Sequence, residues 1–141
     1  MAQRFWQQAE RDIETARFNL QPRCYYAAAD FAHQAAEKAL KAAHWYVRGE
    51  EPPWIHELGR CLERVAPTLG ETPAQVNAAI GQLEPIFDRS RYPSAILSQP
   101  IPAELVQEAD ARAAIAAAED IVAWVQTLLL QPISGSQPKK N

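Results

Sequence analysis

Apolar residues recur along this chain at the spacing of amphipathic helices. In the first such segment, from Gln3 to Leu20, they lie three or four positions apart and so share one helix face: Phe5, Ala9, Ile13, Ala16 and Leu20. Pro22 follows, and proline cannot continue a helix because it lacks an amide hydrogen and its ring clashes with the preceding turn. The first helix is therefore predicted to end between Asn19 and Pro22.

The second predicted helix runs from about Tyr25 to Val47 and consists mostly of residues with high helix propensity. Its predicted inner face is rich in alanine, which lets neighbouring helices approach closely: Ala28, Phe31, Ala32, Ala35, Ala39, Leu40, Ala42 and Ala43. Gly49 fits a C-terminal cap. After a proline-stiffened loop, a shorter third helix is predicted from His56 to Val65.

A fourth helix is predicted from Pro73 to Phe87, with Thr72 as its N-cap, because proline is favoured at the first helical position. The segment from Asp88 to Ile101 is punctuated by prolines and is predicted to be irregular. The last helix is predicted from Pro102 to Leu130. Its expected inner face consists of Leu105, Ala109, Ala113, Ala116, Ile121, Trp124, Val125 and Leu128.

No segment shows the sustained alternation of apolar and polar residues that is typical of a β-strand. The fold class is therefore all-α, an up-and-down bundle of four to five helices. Since 48% of its residues are hydrophobic, the chain can bury a single core, and we expect one domain over residues 1–131. Residues 132–141 are rich in glycine, serine, proline and lysine and are expected to be a disordered tail.

The overall charge of −3 argues against a protein that coats nucleic acid through bulk electrostatics, although nucleic-acid binding stays open. Neither an apolar signal segment nor a membrane-spanning run is evident, so a soluble cytoplasmic protein without membrane contact is expected. Cys24 and Cys61 are then expected to be reduced.

Several polar side chains share one face of the second helix. Gln34, Lys38 and Lys41 lie at i, i+4 and i+7, and Glu37 lies beside them. The two lysines could bind phosphate while Gln34 bonds to a base or ribose. The alternative is a solvated helix face, in which a Glu37–Lys41 ion pair contributes only about 0.2–0.5 kcal/mol.

Two further groups could contribute to such a site. His56 follows a rigid turn, where it could begin a helix or line a pocket. Arg89, Arg91 and Tyr92 lie in a bend that ends at a proline, where arginine could bind phosphate and tyrosine could stack on a base, or where Arg91 could pair with an acid and lock the loop. His33 is followed at i+4 by a glutamate, but no third metal ligand is apparent, so neither a metal site nor a cofactor is expected.

The sequence ADFAHQAAEKALKA resembles the most specific part of the HEPN domain, and the resemblance extends over roughly Phe5 to Pro93. It implies a helical bundle, nucleotide binding and association with a minimal nucleotidyltransferase. The family commonly has a histidine motif at the position of His56 and Arg-Tyr-Pro at the bend. The resemblance therefore implies that Gln34, Lys38, Lys41, His56, Arg89, Arg91 and Tyr92 bind a ligand. Lys38, Lys41 and Arg91 are expected to form one cationic patch.

The ribonuclease branch of this family carries an arginine followed four to six residues later by a histidine. This chain departs from that pattern, because His56 is its last histidine. The leading interpretation is a non-enzymatic protein that binds a nucleotide or a partner. The alternatives are a metal-independent ribonuclease toxin of a toxin–antitoxin pair, using His56 or His33 with Arg89 or Arg91, and a structural helical adaptor.

A homodimer is also expected. Tryptophan is favoured in interfaces, and the chain has more tryptophans than one small core usually needs: Trp6, Trp45, Trp54 and Trp124. An alanine- and tryptophan-rich helix face is the expected contact surface.

Overall fold

The structure, a computed structural model, describes residues 1–131, and its regular secondary structure is entirely helical over that range. The helices are α1 (Ala2–Phe18), α2 (Tyr25–Arg48), α3 (Leu58–Glu63), α4 (Ala66–Leu69), α5 (Ala74–Leu83), α6 (Ile86–Arg89), α7 (Pro102–Leu105) and α8 (Glu108–Leu129). The predicted all-α bundle is confirmed. The expectation of a disordered tail concerns residues that lie outside the described range.

Helix α2 is the centre of the bundle and packs against α1 on one side and α8 on another. The alanines of its predicted inner face are buried, and Leu40 is fully buried among them, whereas Phe31 is only partly buried. Gly49 ends the helix in the left-handed conformation, which a residue without a Cβ adopts without strain. These alanines are buried by packing within the chain, so they cannot form the alanine-rich dimer interface that the sequence suggested.

The turn between α1 and α2 is closed by local hydrogen bonds. The side-chain amide of Asn19 donates to the carbonyl of Thr15 at 2.8 Å, which satisfies one of the free carbonyls at the end of α1. The backbone amide of Cys24 donates to the carbonyl of Asn19 at 2.9 Å. This tight connection brings α2 back antiparallel to α1, as an up-and-down bundle requires.

The predicted fourth helix is interrupted. Helix α5 ends at Leu83 and α6 begins at Ile86, because Pro85 supplies no amide hydrogen to continue the helical ladder. The prediction of Thr72 as the N-cap was also wrong. Pro73 occupies the N-cap position of α5 with an extended backbone, and α5 begins one residue later.

The last predicted helix is likewise divided, since Val106 has an extended backbone between α7 and α8. A new helix begins at this point because its first turn is capped. The backbone amide of Gln107 donates to Asp110 Oδ2 at 2.9 Å, in the reciprocal arrangement of a capping box.

The buried face of α8 differs from the predicted one. Ile121 and Val125 are buried as expected, but Ala109 and Ala116 are exposed. The residues that contribute to the core are Ala111, Ala114, Ile115, Ala117, Ala118, Ile121, Val122 and Val125. Alanine occurs on every side of this helix, so the apolar pattern alone does not determine which side faces inward.

Over the described residues, no helix is both long and apolar enough to cross a membrane. Both cysteines have free thiols, and Cys61 is buried. Burial raises the pKa of the Cys61 thiol to about 11, so the thiol stays protonated and unreactive near neutral pH.

The revised face of α8 predicts different costs for two equivalent substitutions. Ala118→Leu should destabilise the protein by about 1–3 kcal/mol, because Ala118 is fully buried and extra methylene groups overpack the contact with the rest of the bundle. Ala116→Leu, on the exposed side, should change stability by less than about 0.5 kcal/mol. Urea denaturation of both variants measures these costs, and equal costs would contradict the assigned orientation.

Candidate functional site

The polar residues of α2 form hydrogen bonds and ion pairs that connect this helix to its neighbours. Lys38 Nζ lies 2.5 Å from Asp12 Oδ2 on α1. The Asp12 side chain is only 4% exposed and also accepts a hydrogen bond from Gln8 Nε2 at 3.1 Å. The ammonium group of Lys38 therefore compensates a buried carboxylate, which would be costly if it were left unpaired.

Glu37 bridges two basic side chains. Its Oε2 lies 3.1 Å from Lys41 Nζ, and its Oε1 lies 3.1 Å from His56 Nδ1. His56 precedes α3, which begins at Leu58, so it does not open that helix as one prediction held. Its bond to Glu37 instead ties the loop before α3 to the middle of α2.

Arg91 locks the bend after α6. Its Nε donates to Asp30 Oδ1 at 2.6 Å, and Gln34 Nε2 donates to the other oxygen of Asp30 at 3.3 Å. The Arg91 guanidinium also lies over the ring of Phe87, 4.2 Å from its centroid. This is the loop-locking alternative that the sequence left open, and it agrees with the planar geometry that arginine offers to a carboxylate.

Lys38, Lys41 and Arg91 do not form the single cationic patch that the sequence predicted, because Arg91 contacts a different part of α2. Arg91 is held at Asp30, which lies about three helical turns before Lys41, or about 16 Å along the helix axis. Lys38 and Lys41 lie one turn apart, so only these two could contact one phosphate together. Arg89 is half-buried at the end of α6, and Tyr92 is exposed just beyond it.

A first cleft, here called the Trp54 cleft, lies between α2 and the loop that follows it. It encloses about 230 Å³, and its walls contain two lysines and two glutamates beside apolar residues: Phe5, Glu37, Lys38, Lys41, Glu51, Pro52, Pro53 and Trp54. The indole of Trp54 is 88% exposed, and Lys41 Nζ lies 5.7 Å from its ring centroid. An exposed aromatic ring thus lies beside the ammonium group of Lys41 in a cleft that Lys38 also lines, an arrangement that the spacing within α2 could not indicate.

A second cleft, here called the His33 cleft, lies on the other side of His56. It encloses about 320 Å³ and is lined by His33, His56, Glu57, Glu84, Phe87 and Asp88. Phe87 contacts both imidazole rings, with centroid distances of 5.4 Å to His33 and 5.3 Å to His56. Three carboxylates make this cleft acidic, whereas the Trp54 cleft has two lysines and two glutamates.

His33 is an unusual member of this wall. Its residue surface is 1% exposed, and its Nδ1 is buried without a hydrogen-bond partner in the part of the chain that the structure describes. Burial lowers the pKa of His33, because removing the imidazolium from water disfavours the charged form. The ring is therefore neutral at physiological pH.

A metal centre has no support in residues 1–131, where no group of three histidine, cysteine or acidic side chains is arranged to hold an ion. His33 and Glu37 have the spacing of two ligands on one helix. Both oxygens of Glu37, however, are engaged by Lys41 and His56.

The comparison with known proteins identifies the family. The HEPN domain model matches residues 2–128, so the chain belongs to the HEPN domain family. The crystal structure of TT1696 from Thermus thermophilus is similar, with a TM-score of 0.81 and 28% identity, over 89% of this chain and 96% of that chain. The archaeal HEPN homologue ST0689 has a TM-score of 0.73 and 29% identity, over 92% and 98%.

A HEPN domain protein of Thermotoga maritima, TM0613, shares the fold, with a TM-score of 0.68 and 22% identity over 92% of this chain and 99% of that chain. No curated protein matches the sequence.

The lowered pKa of His33 predicts a loss of stability in mild acid. The unfolded chain takes up a proton on this residue below a pKa of about 6.5, whereas the folded chain resists it, so acidification favours unfolding. His44, whose pKa is also lowered by burial, should add to the slope. Between about pH 7.5 and pH 5.5, the unfolding free energy of His33→Leu should fall less steeply than that of the parent. Parallel curves from urea titrations at each pH would contradict this.

Proposed function

We propose that this HEPN protein binds a nucleotide in the Trp54 cleft without transforming it, and that it acts together with a minimal nucleotidyltransferase. The observation that carries the proposal is the exposed indole of Trp54 beside Lys41 at the mouth of a cleft that also contains Lys38. An aromatic face and cationic donors are the two components that a nucleotide requires, one for its base and one for its phosphates.

The base would stack on Trp54. A tryptophan with so much of its surface in water gains little from the fold itself, whereas stacking of a base on an aromatic ring contributes about 1–3 kcal/mol. The preceding residues Pro52 and Pro53 restrict the backbone of this loop, which reduces the entropy lost when a ligand orders it.

The phosphates would bind Lys38 and Lys41. An ammonium group carries three donors, and each lysine has one carboxylate partner, Asp12 for Lys38 and Glu37 for Lys41. Donors therefore remain for phosphate oxygens. The carboxylates hold both side chains in place but also reduce the local positive charge, so binding is expected to be moderate and sensitive to salt.

In this proposal the other expected ligand residues do not contact the nucleotide. His56 holds Glu37 and thereby positions Lys41, while Gln34 and Arg91 fix the bend through Asp30. Arg89 and Tyr92 lie beyond this bend, where a larger ligand or a partner could contact them.

Catalysis of RNA cleavage is not part of the proposal. It would need proton transfer beside a cation that stabilises the phosphate. In the His33 cleft, His33 is buried, and the neighbouring acids Glu57, Glu84 and Asp88 would repel an RNA phosphate. Arg91 is held by Asp30. These features support a binding protein over a ribonuclease toxin.

Association with a second copy is also proposed. The segment from Tyr92 to Ile101 exposes several large apolar side chains, and Leu97 is 98% exposed. Exposed apolar side chains in one short segment are typical of interaction surfaces.

Substitution of Trp54 tests the nucleotide site directly. Trp54→Ala should weaken ATP binding at low salt by about tenfold, the loss expected when one base-stacking contact is removed, with no change in helicity. Isothermal titration calorimetry measures the affinity. Tyr92→Ala, which removes an exposed aromatic ring outside the cleft, is the matched control and should bind as the parent does.

The lysines provide the second half of that experiment. Lys38→Ala combined with Lys41→Ala should abolish binding and its salt dependence, provided that circular dichroism shows an unchanged helix content. Equal ATP affinity in the parent, the double variant and Trp54→Ala would refute the site, as would the absence of binding by ATP and GTP.

The dimer prediction has its own test. Leu97→Glu should shift the protein from dimer to monomer in sedimentation velocity at micromolar concentration, because it places a charge in an apolar contact. Leu130→Glu introduces the same charge at an exposed leucine at the end of α8 and should leave the dimer intact. A parent protein that is monomeric under these conditions rules out this part of the proposal.

A further inference from the structure

The His33 cleft contains a set of groups that the proposed function does not use. Glu57, Glu84 and Asp88 line one space of about 320 Å³ together with two imidazoles and the Phe87 ring. A nearby cation, Arg91, lies over the Phe87 ring but is paired with Asp30. Glu57 is 4.0 Å from Arg60, and neither Glu84 nor Asp88 forms a salt bridge within residues 1–131.

His33 provides the second, independent observation. It is nine-tenths and more buried in the cleft wall, and its ring makes no hydrogen bond to any described residue. A buried polar group without a partner costs about 1–3 kcal/mol, so such a group in a native protein points to a missing partner. His33 lines the cleft, so a donor bound in the cleft could be that partner.

We infer that the His33 cleft binds a small linear polyamine through its ammonium groups. An ammonium group has three donors and no acceptor, and the cleft offers carboxylate oxygens and the imidazole of His33 as acceptors. An anionic ligand would be repelled by the same carboxylates. The methylene chain between the ammonium groups would lie against Phe87.

The dimensions of the cleft agree with this class of ligand. The cleft volume of about 320 Å³ lies within the range of about 300–1,000 Å³ that small-molecule sites occupy. Spermidine, a small linear triamine, is the appropriate probe. A compact divalent cation fits less well, because no three ligands converge on one point in residues 1–131.

Glu84 has a separate role in keeping the cleft in shape. Its Oε1 accepts a hydrogen bond from the backbone amide of Gly59 at 2.7 Å, which joins α3 to the end of α5. Its second oxygen remains for a ligand. The Glu57 carboxylate has an exposed contact with Arg60 at 4.0 Å, and the Asp88 carboxylate forms no ion pair within residues 1–131, so substitution of either should cost little stability.

The test compares two double variants of the full chain that remove the same charge. Glu57→Gln with Asp88→Asn should weaken spermidine binding at least about tenfold in calorimetry at low salt, since it removes two charge-assisted contacts. Glu63→Gln with Glu71→Gln neutralises two exposed acids outside the cleft and should bind as the parent does. In the parent, the imidazole resonances of His33 should shift on titration with spermidine.

Equal weakening in the two double variants would show diffuse attraction to an acidic surface and would overturn the inference. Absence of saturable heat with spermidine, or unchanged His33 resonances in a titration that does show binding, would also overturn it. The inference does not rest on the nucleotide proposal. Trp54→Ala should leave spermidine binding unchanged, so the two sites can fail separately.

Discussion

The burial of α2 is the constraint on which the rest of the structure depends. Because α2 packs against α1 on one side and α8 on another, it can expose only a narrow strip to solvent. It nevertheless carries four charged side chains in its middle: Asp30, Glu37, Lys38 and Lys41. Charges at the edge of a low-dielectric core must be paired, because an unpaired one costs several kcal/mol. The alanines allow the close approach, and the ion pairs compensate the charges that this approach partly removes from water.

The pairing of these charges determines which charged side chains line each of the two clefts. Lys38 and Lys41 are held on the side of the Trp54 loop, whereas His56, at the other oxygen of Glu37, lies at the edge of the acidic His33 cleft. The two clefts differ in local charge, because two lysines accompany the glutamates of the Trp54 cleft, and the overall balance of −3 does not reveal such a difference.

The sequence predicted the helices of the first half closely, because Phe5, Ile13 and Leu40 differ in size from the residues on the opposite face. It was less successful in α8, where alanine on every side leaves the buried face undetermined until the other helices are in place. In the candidate site, too, one part could be predicted from the sequence and another could not. The stripe of Gln34, Lys38 and Lys41 follows from helical spacing, but their partners come from other elements, and Asp12 lies on α1. Spacing along one helix cannot reveal such contacts.

Glu37 is shared by the two clefts, so the function of each cleft must be tested by substituting residues that line only one of them. It lines the Trp54 cleft and also holds His56 of the other cleft, so its removal would release Lys41 and His56 together. A change in either ligand's affinity would then have two physical causes that cannot be separated. Trp54 on one side and Asp88 on the other have no contact with Glu37 in the described hydrogen-bond network. The effect of substituting Trp54 or Asp88 on ligand affinity can therefore be attributed to a single cleft. Substitutions of such exposed wall residues are more informative than substitutions in the central ion pair.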